Sequence, residues 1–444
     1  MFKRLLIANR GEIAVRIIRA CQELDIETVA IYSEADASAL HVQLADFAYL
    51  IGPAEASQSY LNKQAIVEAA IDTKSEAIHP GYGFLSEDYE FAKIVAENGI
   101  AFVGPSSDTI FEVGDKGEAR KAMVKAGLSM LEGTKLIDTV EEALVQADLI
   151  GYPVILKPVH SGGGRGMYIA VNSDELVASI EKYNSSFLAG TPFYFEKYLA
   201  EARHIEVQII GDNYGHVVHL GERECSLQRR NQKILEEAPS SALTNKSRKV
   251  VGELAVRAAK SVHYVNAGTV EFLMDLEGNF HFMEINPRIQ VEHGITEMIT
   301  GIDLVKTQIQ IADGQTLNLS QDDITFTGHA IECRINAEDT NNNFIPSPGQ
   351  ITFYHPPGGS NVRVDTGVCA GSVITMHYDS LIAKVLAYGK TRGDAINTMK
   401  RALKEFRVEG IETTIDFHRK LMIDPNFKMG KIDTQFINRK VLKD

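Results

Sequence analysis

The amino-acid sequence predicts an α/β protein built around an open parallel sheet, with an inserted lid and a larger mixed unit behind it. Three observations carry this. Strand and helix signals alternate through the first hundred residues, which implies a parallel sheet with helices on both faces. A compact block near 130–200 has strands and a helix of its own, bounded by Gly127 and by Ala200-Glu201-Ala202. Two apolar runs, Val270–Asp275 and Phe280–Glu284, flank the turn-like Leu276-Glu277-Gly278-Asn279 and read as a hairpin.

In chain order, Leu5–Ala8, Thr28–Tyr32, Ala77–His79 and Ala101–Val103 read as strands. Glu12–Leu24, with Ile13, Ile17 and Leu24 on one stripe, and Lys63–Thr73 read as helices. Ala8-Asn9-Arg10-Gly11-Glu12 holds a single glycine where the dinucleotide fingerprint needs three, so no nicotinamide cofactor is expected. Asp115-Lys116-Gly117-Glu118 has the spacing of a capping box opening a helix that ends near Gly127, with Lys116 in the anion-favouring first turn. In the lid, Val154–Lys157 and Met167–Val171 read as strands and 174–183 as a helix. Beyond it come strands His204–Ile210, His216–Leu220 and His329–Ile335, and a helix at Arg392–Phe406.

Composition narrows the function classes. The chain has 444 residues with 45 basic and 59 acidic side chains, and the net charge of −14 argues against nucleic acid. Cys21, Cys225, Cys333 and Cys369 lie far apart with no CxxC or CxxH spacing, and are expected to be buried thiols of a reducing compartment. No apolar run reaches membrane-spanning length, and the amino terminus reads as a strand rather than a signal peptide. A cytoplasmic protein without membrane association is expected.

The hairpin carries the sharpest chemistry. Pairing Asp275 with Phe280 puts Glu271 opposite Glu284, where side chains stand about 5 Å apart and like charges repel. Facing carboxylates in an apolar hairpin call for a cation, and Mg2+ takes oxygen ligands that it shares with substrate phosphates. Asn286 falls on the Glu284 face, and the chain runs on into Arg288 and Glu292, a cation and a candidate base. Lys157 ends an apolar strand and precedes Gly162-Gly163-Gly164, a glycine-rich flap suited to phosphates rather than a P-loop. Phe195–Leu199 joins the lid to the larger unit and suits an adenine clamp as well as an ordinary linker. Gln228–Lys233 is a basic run in an acidic chain, and His79 follows a strand where α/β sheets bind ligands but equally suits a structural role.

With these residues in view, the chain resembles the biotin carboxylases, the ATP-grasp subunits of biotin-dependent carboxylases such as acetyl-CoA carboxylase. The likeness is carried by Lys3–Ala14, His79–Glu87, Cys225–Glu237, Glu284–His293 and Glu332–Glu338, and covers nearly the whole chain. It implies an ATP-grasp fold with a Rossmann-like domain at 1–114, an ATP-grasp domain at 115–328 that includes the lid, and a biotin carboxylase C-terminal domain at 329–444. It implies that ATP and bicarbonate form carboxyphosphate, whose CO2 carboxylates N1′ of biotin on a carrier protein after the released phosphate deprotonates it. Lys116, Lys157, Gly162, Gly163, Gly164, Glu196, Lys197, Leu199, His204 and Gln228 are then the nucleotide residues. Glu271, Glu284 and Asn286 attend two Mg2+ or Mn2+ ions. Lys233, Arg288, Gln290, Val291 and Glu292 hold bicarbonate, with Glu292 as base, and Tyr82 and Arg334 face biotin, Arg334 stabilising its enolate-like oxygen. The implied partners are a biotin carboxyl carrier protein, carboxyltransferase subunits and a second copy of the chain in a homodimer. No Met-Lys-Met biotinylation motif follows, so a stand-alone subunit is expected.

Some positions depart from the resemblance. Pro158-Val159-His160-Ser161 and three glycines stand where an Ala-Ser pair and about five glycines are common. Asn231 replaces the His usual in bacterial acetyl-CoA carboxylase subunits, Pro287 a Thr, and Gly294-Ile295 a Pro-Val pair. Asn and Pro at those two positions occur among urea- and pyruvate-carboxylase relatives. Acetyl-CoA is the expected final acceptor, with those two as alternatives. The rival classes are an amine-forming ATP-grasp ligase, disfavoured by Arg288-x-Gln290-Val291-Glu292 together with Arg334, and a nucleotide-binding regulatory subunit without turnover.

Overall fold

The computed structural model describes residues 1–137, 139–158, 166–186 and 190–441. Strands β1 (Arg4–Ile7), β2 (Glu27–Ser33), β3 (Phe47–Gly52), β4 (Ala77–His79) and β5 (Ala101–Phe102) form a parallel sheet in the order β3-β2-β1-β4-β5. The expected helices are present as Gly11–Gln22 and Lys63–Asp72. Ile13 and Ile17 are buried, whereas Leu24 lies past the helix end. The edge strand β3 and the helix Tyr89–Glu97 are additional to the sequence reading. Strand order reverses between β1 and β4, which leaves a crevice at their carboxyl ends. There the Asn9 amide donates to the carbonyls of Pro80 and Tyr82, both at 2.7 Å, and ties the two exits together.

The lid block holds a three-stranded antiparallel sheet of β6 (Val154–Pro158), β7 (Tyr168–Ala170) and β8 (Phe193–Lys197), ordered β7-β6-β8. Helices Val140–Ile150 and Ser173–Asn184 cover it, and Leu156, Leu176, Ile180 and Phe195 give it a core of its own.

The remainder centres on one eight-stranded antiparallel sheet. Its order is β13 (Phe280–Asn286), β12 (Asn266–Met274), β9 (Arg203–Gly211), β10 (Val217–Arg229), β11 (Gln232–Ala238), β14 (His329–Asn336), then Leu381–Gly389 and Val362–Thr366. This sheet runs unbroken across the division expected at 328/329, because β14 pairs with both β11 and Leu381–Gly389. Strand side chains alternate between faces. Ile205, Val207 and Ile209 of β9, with Val270 and Phe272 of β12, pack on Val251, Ala255 and Ala258 of the helix Asn245–Ser261. The residues between them point the other way and are polar.

The β12–β13 hairpin corrects the expected register. Met274, not Asp275, pairs with Phe280, and Leu273 and Phe272 oppose His281 and Phe282. Asp275 leaves the strand because its carboxylate accepts from the Asn279 backbone at 2.8 Å and side chain at 3.0 Å and meets His281 Nε2 at 2.9 Å. A bulge beside Phe272 then takes up one extra residue on β13, and Glu271 comes to oppose Glu284 after all.

Candidate active site

The polar face of the large sheet builds the site. Glu271 and Glu206 are direct cross-strand partners on β12 and β9, and Arg223 of β10 stands opposite Glu206 on its other side. Buried like charges side by side demand a cation. Lys233 at the start of β11 supplies it: its Nζ lies 2.5 Å from Glu206, 2.9 Å from Glu271 and 2.8 Å from Glu292. Arg223 completes the arrangement with Nε 2.5 Å from Glu206, and bonds to Gln208 at 2.7 Å, Thr296 at 2.9 Å and Thr269 at 3.1 Å. Arg223, Glu206 and Glu292 are fully buried.

Glu292 sits at the amino end of the helix His293–Thr300. Its second oxygen takes Arg334 Nη2 at 2.9 Å, and Arg334 also donates from Nε to Glu236 at 2.6 Å. Burial alone would push the Glu292 carboxyl up, but Lys233, Arg334 and Arg223 hold it well below the usual carboxylate range. Glu271 is likewise held down against burial by Lys233 and His204. Two neighbours go the other way. Burial and the Glu292 charge raise Glu236 to about 7 despite Arg334, and burial raises Glu332, opposite it on β14, well above the ordinary value. Both Glu332 oxygens are buried without a hydrogen-bond partner, as befits a neutral carboxyl.

The segment after β13 folds back over this face. Asn286 donates to Glu271 at 2.8 Å, and Arg288 donates to Gln290 at 2.8 Å and to the Ile289 carbonyl at 3.2 Å. Arg288 Nε also pairs with Glu87 at 2.7 Å, bringing in a residue of the His79–Glu87 motif. Glu271 and Glu284 stand opposite each other in the ladder, and carboxylate oxygens are the donors a hard divalent cation takes. His204, Glu206 and Glu271 also offer ligand atoms within 4.8 Å of one another, but the Lys233 ammonium already bridges Glu206 and Glu271.

On the nucleotide side, Lys157 pairs with Glu196, which also faces Arg120 at 3.7 Å. Gln228 donates to His204 Nδ1 at 2.7 Å and to the Cys225 carbonyl at 2.8 Å, and His204 Nε2 reaches Glu271 at 3.1 Å, so the nucleotide and metal candidates form one chain. Lys197 is turned into the lid, where Nζ donates to the carbonyls of Gly151 at 2.9 Å and Tyr152 at 3.0 Å. Leu199 is half-buried beyond β8. Asp115 caps the helix Lys116–Lys125 as expected, while the Glu118 carboxylate meets Lys121 at 2.7 Å. Gly162, Gly163 and Gly164 lie outside the described residues, as does the Lys116 side chain.

Tyr82, at the switch point of the parallel sheet, donates its hydroxyl to Glu12. His79 is fully buried, its Nδ1 accepts from the Gly81 backbone, and burial lowers it to about 3, the structural reading of that residue. The basic run divides: Gln228 and Lys233 enter the site, Arg229 lies 4.2 Å over the Phe344 ring, and Arg230 and Asn231 form the turn with positive φ. The expectation of four buried thiols is corrected at Cys369, which is partly exposed because it lies in the loop between Val362–Thr366 and Leu381–Gly389. The sequence reading missed Glu206, Arg223, Glu236, Glu332, Lys384 and Glu12 as site residues. Alternating polar residues in the strongly apolar His204–Ile210 run were the available signal.

Three family models match in succession: the biotin carboxylase N-terminal domain at 1–110, the carbamoyl-phosphate synthase L chain ATP-binding domain at 115–320, and the biotin carboxylase C-terminal domain at 332–439. Biotin carboxylase 1 of Bacillus subtilis is 54% identical over 442 residues, covering 98% of both chains. A pyruvate carboxylase subunit of Methanothermobacter thermautotrophicus is 49% identical, over 99% of this chain and 90% of that one. Among solved structures, the biotin carboxylase domain dimer of Hydrogenobacter thermophilus 2-oxoglutarate carboxylase, in complex with MgADP, ADP and bicarbonate, superposes with a TM-score of 0.95 at 48% identity, covering 99% of this chain and 98% of that one. The β-γ-ATP complex of Campylobacter jejuni biotin carboxylase gives a TM-score of 0.95 at 44% identity, covering 99% of each. The chain belongs to the biotin carboxylase family of ATP-dependent ligases, on the ATP-grasp fold.

Proposed function

We propose that the chain carboxylates N1′ of carrier-bound biotin, using ATP and bicarbonate by way of carboxyphosphate. The observation that carries this is Glu292: a fully buried carboxylate spanning Lys233 and Arg334, beside Arg288 and Gln290. In this reading Lys233, Arg288 and the Gln290-Val291 backbone hold the bicarbonate oxygens, Arg offering a fork that fits them. Glu292 takes the bicarbonate proton as its oxygen attacks the γ-phosphate. Lys116, Lys157, Glu196, Lys197, Leu199, His204 and Gln228 hold the nucleotide with the glycine flap at 162–164. Glu271 and Glu284, with Asn286 beside them, hold Mg2+ or Mn2+, which neutralises phosphate charge when bound. Tyr82 and Arg334 receive biotin. The relative crystallised with MgADP and bicarbonate supports these ligands at 48% identity.

The acceptor proposed first is an acyl-CoA, acetyl-CoA foremost, served through a carboxyl carrier protein and carboxyltransferase by a homodimer in the cytoplasm. Asn231 and Pro287 favour a second reading, a pyruvate- or urea-type acceptor, and a pyruvate carboxylase relative at 49% identity lends it weight. Phosphate release from ATP is the test, with biotin and bicarbonate omitted in turn. Release that needs both and collapses in Glu292→Gln supports the half-reaction; release indifferent to biotin, even on a biotinylated carrier, overturns it. Reconstitution with each acceptor then separates the two readings.

A further inference from the structure

Among the described residues outside those assigned above, Lys384 on Leu381–Gly389 is a cation fully buried in the sheet, with no exposed side-chain surface. Its Nζ donates to the Val291 carbonyl at 2.6 Å and lies 3.2 Å from Glu12 Oε1, with Asp365 at 3.8 Å. The same Glu12 oxygen accepts the Tyr82 hydroxyl. Burial opposes the ammonium charge, and Glu12 foremost, with Asp365 beside it, outweighs that opposition. Asp365 is already satisfied by a two-pronged bond from Arg363, at 3.0 and 2.8 Å. The Lys384 charge therefore serves Glu12 and Val291 in the first place.

These contacts join three pieces of chain far apart in sequence. Glu12 opens the first helix at the parallel-sheet crevice, Tyr82 leaves β4 into the same crevice, and Val291 immediately precedes Glu292. The approach is close: a Cβ at Gly367 would lie 2.5 Å from the Gly11 carbonyl carbon and 2.6 Å from the Glu12 nitrogen. The amino-terminal domain is thus seated directly on the end of the large sheet where Lys384 emerges.

We propose that Lys384 is a positioning residue that sets the Gln290–Glu292 backbone and, through Glu12, the Tyr82 hydroxyl, so that the bicarbonate and biotin sides of the site are held by one side chain. This rests on the roles given above to Val291 and Tyr82. A buried ammonium is suited to the task, since a charge-assisted bond to a carbonyl fixes backbone more firmly than a neutral one. Without it, the Val291 carbonyl and the Glu12 carboxylate lose their common partner together.

The test is steady-state phosphate release by the full chain, with bicarbonate, free biotin and ATP varied in turn, for wild type, Lys384→Met, Glu12→Leu and the double variant. Lys384→Met is expected to raise KM for bicarbonate and for biotin about tenfold or more each, the loss of one charge-assisted bond, while KM for ATP holds within about twofold. Lys384→Arg should recover part of the loss. The double variant should be little worse than Lys384→Met, because the Lys384–Glu12 tie is already lost in that single variant. Should Lys384→Met fail to fold, Glu12→Leu alone decides: it leaves the Lys384–Val291 bond in place, so KM for biotin should rise about tenfold while those for bicarbonate and ATP hold within about twofold, and an unchanged KM for biotin overturns the proposal. Unchanged KM for bicarbonate and biotin in folded variants, or additive losses, overturns the proposal. A wild-type chain whose release needs neither bicarbonate nor biotin instead overturns the functional reading beneath it.

Discussion

Replacing Arg223 by Met isolates what one fully buried guanidinium does for this site. Arg223 donates to the Glu206 carboxylate and to the neutral acceptors Gln208, Thr269 and Thr296, and all four bonds are charge-assisted because the donor is a guanidinium. Each is worth about 1.5–3 kcal/mol before desolvation is counted. Removing the buried cation also removes its own desolvation cost, and Glu206 keeps Lys233 at 2.5 Å. The expected net loss is therefore about 3–5 kcal/mol, the range seen when one partner of a buried pair is removed. Function should fall beyond what stability explains. Thr296 anchors the helix His293–Thr300 to Arg223, and Glu292 immediately precedes that same helix. Urea unfolding measures the first quantity, and biotin-dependent phosphate release at a temperature where the variant is fully folded measures the second. A loss below about 1 kcal/mol would mean that the four bonds only balance desolvation, and the sheet's polar face would not be organised by Arg223.

Glu271→Gln and Glu284→Gln should each raise the Mg2+ concentration for half-maximal turnover by about tenfold or more, read from activity at fixed ATP; unchanged titrations would remove both from the metal set. Glu237 shows the acid side of stability. Burial would raise it, but His329 and Arg392 hold it down to about 2 against an ordinary 4.5, worth about 3 kcal/mol. That stability is present above pH 4.5 and is lost as pH falls towards 2, so Glu237→Gln should be less stable at neutral pH and show a flatter acid limb in urea midpoints. Gly367→Ala should cost about 1–3 kcal/mol, because its Cβ would meet Gly11 and Glu12 backbone rather than a yielding side chain. Hydrogen exchange should then show lost protection in Gly11–Gln22 with Asn245–Ser261 unaffected, and equal loss in both would refute a local seat.

What the sequence made legible were features whose parts lie close along the chain. The Glu271–Glu284 opposition needs only a hairpin and period-two alternation, and the parallel sheet needs only strand–helix repetition. The turn was misplaced by one residue because an Asp275–Asn279 side-chain turn competes with the ladder, and the bulge on β13 hid that error. Strand β3 escaped notice as an edge strand, with Phe47 and Leu50 exposed. Arg223, Glu236, Glu332 and Lys384 were not legible for a different reason. Arg223 lies between Glu222 and Glu224 and Glu236 beside Glu237, which along the chain reads as a charged strand stretch, and the partners of all four lie on other elements, brought close only by the order of the sheet and the seating of the first helix. Local periodicity says which face such a residue occupies; it carries no information about which strand pairs next.

The ionisation pattern gives the site a direction. Glu206, Glu236, Glu271, Glu292 and Glu332 share a dry region and compete for the cations Lys233, Arg223 and Arg334. The structure distributes the charge unequally: Glu271 and Glu292 lie well below the usual range, and Glu236 and Glu332 lie above it. Environments that push like groups apart in this way assign acid and base roles. A carboxylate held so low by Lys233 and Arg334 is a poor base in this state. In the proposed mechanism, bicarbonate brought to Lys233 and Arg288, and biotin brought to Arg334, would draw those cations away and raise Glu292 for the proton transfer proposed for it. In our reading the base is thus weak in the empty site and strengthened by the substrates themselves. The upward shift of Glu236 and Glu332 matters because, when ionised, they add buried negative charge beside Arg334 and hold it more tightly away from the biotin it is proposed to meet.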